Sequence, residues 1–137
     1  MSAMDIYAHT PSPAARRFEA GTPPVPSLYA ALAGIKLIQS IGLPKIEAHL
    51  HEITGAIKEG VMHRGFNLVT PVDPAKHGAL ITLRSHNVDL LVKRLNDDGI
   101  VTSSRDDNLR ISPHIYNNLD DVNCLMDGLT KNRELLV

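Results

Sequence analysis

The hydrophobic period of this chain first changes near residue 65, and that switch limits what it can fold into. Before it, apolar residues recur at three- and four-residue steps, as they do on one face of a helix. Leu28, Ala31, Leu32, Ile35 and Ile38 form one stripe, with Ser27 as its N-cap and Gly42 just past its end. A second helix is predicted over 44–61, with Pro44 in its first turn. Its stripe is Ile46, Leu50, Ile53, Ile57 and Val61, and Gly65 closes the following turn. Beyond that point come short β-like runs at 66–70, 79–84, 100–103 and 108–112, bounded by turn formers. Helices are predicted between them at 88–95 and after them at 119–135. The last takes Asn118 as N-cap and sets Asp120 and Asp121 at the positive end of its dipole. The order α-α-β-β-α-β-β-α predicts an α+β two-layer sandwich, a four-stranded and mainly antiparallel sheet with helices packed on one face.

Ahead of this pattern, residues 1–26 carry five of the nine prolines. Proline lacks a backbone N–H and fixes φ, so this stretch reads as an irregular arm preceding a domain at 27–137. With 137 residues, 43% of them hydrophobic, the chain can form one core. Fourteen Lys and Arg face fifteen Asp and Glu, a net charge of −1, which excludes a strongly basic nucleic-acid footprint. No apolar run approaches the ~20 residues of a membrane span, and no basic-then-apolar leader opens the sequence. A single cysteine, Cys124, excludes an internal disulfide and a Cys-rich zinc site. A reducing, cytoplasmic setting is expected, with no nucleic-acid or membrane partner.

The strand at 108–112 bears on function. Side chains alternate across a strand, so Leu109 and Ile111 should face the helices while Arg110 points to the helix-free face. A guanidinium there can grip a carboxylate with two parallel hydrogen bonds, or it can simply be solvated. The seven histidines form no metal motif. His49 and His51 lie two apart on a helix and project to different sides, and His51-Glu52 is followed by Gly55 where HExxH needs its second histidine. His114, at a strand end, suits a site residue and a packing residue equally. Cys124 reads as a small core or boundary side chain. There is no P-loop, no G-x-G-x-x-G and no G-x-S-x-G elbow, so no self-contained catalytic constellation is present.

Two runs go further. R-F-E-x-G-T-P occupies 17–23 and L-R-I-S-P-H-x-Y-N occupies 109–117. Together, in this order and at this separation, they make the chain from about Arg16 onward resemble the C-terminal small domain of the class V aminotransferase family. That family comprises pyridoxal-phosphate enzymes of fold type I, including cysteine desulfurases, kynureninase and isopenicillin N epimerase-like proteins.

The resemblance implies roles for particular residues. Arg110 matches the arginine that holds the substrate α-carboxylate, and Arg105, in the preceding loop, is a second substrate-binding candidate. Thr22, beside Gly21, matches the threonine that reaches the cofactor phosphate in a partner subunit's active site; a turn threonine is the alternative. Tyr116 and Asn117 would shape the turn into the final helix. The implied whole is a homodimeric transaminase, epimerase or lyase acting on an amino acid, with pyridoxal phosphate held chiefly by a separate large domain.

The sequence departs from the family in three respects. None of the six lysines has the context of the cofactor lysine, so the chain alone is expected to hold no catalytic residue and no cofactor. Only four residues separate Arg105 from Arg110, leaving no loop with a reactive cysteine, which weighs against a persulfide mechanism. Asn118 stands where threonine is usual, and either residue can cap a helix. The rival to this reading is a stand-alone α+β binding or oligomerisation module without catalytic activity.

Overall fold

The structure is a computed structural model that describes residues 11–19 and 21–137, so Ala20 and the start of the predicted arm lie outside the described residues. The chain divides into two compact units after Ile41. In the first, a 3-10 turn at Ala15–Phe18 precedes helix α1, Val25–Ile41. The helix opens two residues before Ser27, which therefore lies inside its first turn instead of capping it. Pro26 is tolerated there because first-turn N–H groups have no intrahelical acceptor. No residue of α1 is buried, and Leu28, Leu32 and Ile35 of the apolar stripe are all exposed.

The second unit begins at Gly42, whose φ of 91° suits glycine and sets the chain into helix α2, Leu43–His63. Ile53, Ile57 and Val61 of its predicted stripe are buried. Strand β1 (Ile81–Arg84), helix α3 (Val88–Asp97), strands β2 (Ser103–Arg105) and β3 (Asn108–Ile111) and helix α4 (Leu119–Lys131) follow. The strands form an antiparallel sheet in the order β1-β3-β2, with Ile81 opposite Ile111 and Leu83 opposite Leu109. These four residues are buried, and they meet Ile53, Ile57, Leu91, Leu95, Val122 and Leu125 in one core. The helices of this unit thus cover one face of the sheet, as the alternation requires.

The sheet has three strands among the described residues, where four were expected. The run 66–70 makes only one bridge, Leu68 to Leu83. Val69 and Thr70 both direct their N–H at the carbonyl of Thr82, a bulge-like arrangement that stops the ladder. Gly65, at φ 74°, turns the chain immediately before this run, and Pro71 offers no donor after it. The strand expected at 100–103 forms later, at Ser103–Arg105, because Gly99 turns at φ 81° and Ile100 packs on the core.

The final helix stops at Lys131, short of the expected 135. Asn132, only 2% exposed, donates from Nδ2 to the Gly128 carbonyl at 2.9 Å and accepts from Arg94 at 3.2 Å. The chain then tightens into a 3-10 turn that buries Leu135. Glu134 on this turn is held below the usual carboxylate range by its own backbone N–H and by the Arg94 guanidinium.

Candidate functional site

Arg110 occupies the middle of the central strand, opposite Thr82 on β1 and Ser103 on β2. Its neighbours Leu109 and Ile111 are locked into the core, so the pleat fixes the direction in which Arg110 leaves the strand. It is half-buried and borders a cavity of about 660 Å³. Ser103, Ser112, Tyr116, Asn117 and Cys124 also line that cavity.

The charges around the cavity are unevenly committed. Asp98 is paired with Lys131 at 2.8 Å. Asp121 accepts from the Asn117 amide at 3.1 Å and from the Asn118 N–H at 3.0 Å. Arg110 enters none of the six ion pairs among the described residues. The open charge of the cavity is therefore a guanidinium on a rigid strand, and its complement is an anion. One further polar atom is unspent, since the Thr102 hydroxyl oxygen at the cavity is buried without a hydrogen-bond partner.

The loop that follows Arg110 is braced by its own side chains. Asn117 accepts the His114 N–H at 2.8 Å, and the ring of His114 stacks on Tyr116 with centroids 5.1 Å apart. His49 of α2 donates from Nε2 to the Asn117 carbonyl at 2.8 Å, so the loop is tied to a neighbouring helix. Asn118 caps α4 and forms a reciprocal capping box with Asp121. The S-P-H-I-Y-N-N run thus works as a positioning turn between Arg110 and α4. His114 stacks on Tyr116 and is not among the residues lining the cavity.

Arg105 is placed differently. It ends β2 opposite Asn108, is exposed, and is not among the residues lining the cavity. The turn beside it holds Asp106 at φ 52°, and there it is Arg84 that pairs with Asp107, at 3.2 Å. Gly21 and Thr22 belong to the first unit, where both are exposed at the bend before α1. Cys124 is exposed, which corrects its reading as a core or boundary residue. It falls outside the Val122, Leu125, Met126 and Leu129 stripe, and that offset was visible in the sequence. Among the described residues, no three His, Cys, Asp or Glu side chains are grouped to hold a metal.

The family profile described as aminotransferase class-V matches residues 1–125. The chain belongs to the class V aminotransferase family. It is 26% identical to an uncharacterized aminotransferase, YcbU, of Bacillus subtilis over 84% of its own length and 31% of that protein. It is 29% identical to a kynureninase of Xanthomonas campestris, covering 85% of this chain and 30% of that one. A probable cysteine desulfurase of Streptomyces coelicolor matches at 28% identity, over 92% and 34% respectively. The chain therefore spans about a third of the length of these relatives.

Among solved structures, a cysteine desulfurase from Thermococcus onnurineus superposes with a TM-score of 0.82 at 22% identity. That match covers 97% of this chain and 37% of the other. Likeness at this identity establishes the shared fold.

Enzymes of this family depend on pyridoxal phosphate. Such enzymes hold the cofactor aldehyde on a lysine amine. Among the described residues, no lysine lines the Arg110 cavity. The described residues thus do not by themselves fit the cofactor, and no chemical step can be assigned to this chain alone.

Proposed function

We propose that this chain is the C-terminal domain of a pyridoxal-phosphate enzyme that acts on an amino acid as a transaminase, epimerase or lyase. Arg110 holds the substrate α-carboxylate. Arg105 lies on the same sheet face, two pairs nearer the hairpin turn, and guides the anion in without gripping it. Thr22, at the bend beside Gly21, donates to the cofactor phosphate of a partner subunit in a homodimer. A large domain carrying the cofactor lysine is the other partner, and the free thiol of Cys124 suits a reducing cytoplasm.

One observation carries this reading. Among the described residues, the one uncommitted charge bordering the cavity is a guanidinium on the central strand, while both neighbouring carboxylates are engaged. The loop after Arg110 supports it, since its bonds to Asn117 and His49 fix the cavity wall.

The test is a spectral titration with pyridoxal phosphate and then with amino acids, on this chain alone and on the complete enzyme containing it. This chain alone should form no stable, site-specific Schiff base. Among the described residues no lysine lines the Arg110 cavity, so none is positioned to hold the cofactor aldehyde. In the complete enzyme, Arg110→Lys should weaken amino-acid binding and leave cofactor binding nearly intact, and Thr22→Ala should do the reverse. Unchanged amino-acid affinity in Arg110→Lys would return Arg110 to an ordinary surface arginine.

A further inference from the structure

Away from the Arg110 cavity, α2 carries a buried charge, Lys58. Lys58 is only 6% exposed, and no carboxylate pairs with it among the described residues. A buried ammonium must have its donors satisfied. Two are: Nζ donates to the Val72 carbonyl at 2.9 Å and to Nε2 of His77 at 2.7 Å. Nδ1 of His77 donates in turn to the Gly78 carbonyl at 2.7 Å, which selects the neutral tautomer with Nε2 free to accept.

Both acceptors belong to the loop 71–78, and little else holds that loop down. None of its side chains is buried, and Val72 is 59% exposed. Asp73 accepts the Ala75 N–H and pairs with Lys76, but these ties are internal to the loop. The far end of the loop forms one wall of a second cavity, about 350 Å³, whose other wall is the first half of α2 with Leu43, Ile46 and Leu50.

We propose that Lys58 and His77 form a proton-operated latch. With His77 neutral, the loop is held against α2 and the second cavity keeps both walls; a proton on Nε2 releases the loop. That proton removes the lone pair that Lys58 uses and sets two cations at hydrogen-bond distance. The closed loop binds fewer protons than the open one. Closure is therefore favoured at higher pH and lost at lower pH.

The titratable neighbours do not offset this among the described residues. Glu47 and His51 face the same cavity from α2, 4.0 Å from each other, and no carboxylate lies at ion-pair distance from His77. Protonating His51 strengthens its contact with Glu47 on the same helix and leaves the loop bonds untouched.

Backbone order parameters of the loop amides, measured by NMR on the full 137-residue chain at pH 7.5 and pH 5, test the latch. They should fall from the rigid value of about 0.85 to below about 0.6 on acidification. The change should track titration of the His77 ring proton signals. His77→Gln places an amide oxygen near the Nε2 position, where it accepts from Lys58 but takes up no proton, so its loop should stay ordered at both pH values. His51→Gln should behave as the unaltered chain does. Lys58→Met should loosen the loop at both pH values, and if it fails to fold, the glutamine variant still decides. A loop that stays ordered while His77 titrates would overturn the proposal, and so would a loosening that persists unchanged in His77→Gln.

Discussion

Arg110 shows how a single side chain can be aimed by its neighbours. Leu109 and Ile111 are held in the core, so the residue between them must leave by the other face. A lysine at the same position would keep the charge but lose the planar fork that matches a carboxylate. Charge-assisted hydrogen bonds contribute roughly 1.5–3 kcal/mol each. Losing one should raise the amino-acid dissociation constant of the complete enzyme about ten- to a hundredfold in Arg110→Lys, read from the same spectral titration. The direction of Arg110 was legible in the sequence, because strand alternation is a local rule. The partnership of Lys58 with His77 was not. It joins residues nineteen apart through a loop whose path no periodicity encodes. The Thr102 hydroxyl gave no signal either, since its lack of a partner depends on packing.

At the scale of elements, caps decided more than propensities. Asn118 accepts from the N–H groups of Asp120 at 2.7 Å and Asp121 at 3.2 Å, while Asp121 answers with its own side chain. This box ends the braced loop and starts α4, whose Val122, Leu125 and Leu129 reach the core. Asn118→Ala should lower unfolding free energy by about 0.5–2 kcal/mol, measured by urea denaturation. A midpoint that does not move would mean that packing alone holds the start of α4. The helices of the second unit were legible because their stripes are long and regular. The strands were harder. A run such as 66–70 has β-like composition, yet its pairing is cut short where Val69 and Thr70 both donate to Thr82, and by Pro71. Those are consequences of where the partner strand lies, and composition does not carry them.

At the scale of the whole molecule, α1 is the open question that the fold poses to solvent. It has seventeen residues and buries none of them. Isolated helices shorter than ~12–15 residues are marginal in water, and one only slightly longer gains its stability chiefly by burying an apolar face. Leu28, Leu32 and Ile35 lie on one such face and are 46–54% exposed. In the full-length relatives, about two thirds of the protein lies beyond the matched third, which leaves ample material to cover a helix. Without that cover, contiguous apolar surface favours association. The 137-residue chain should therefore sediment as dimers or larger species at tens of micromolar. Replacing Leu28, Leu32 and Ile35 together by Glu should shift it to monomer, because three carboxylates on one helical face resist desolvation. The second unit should remain folded in that variant, since its core draws on α2, α3, α4 and the sheet. A clean monomer of the unaltered chain at high concentration would show that α1 needs no second copy, and the case for association through this helix would fall.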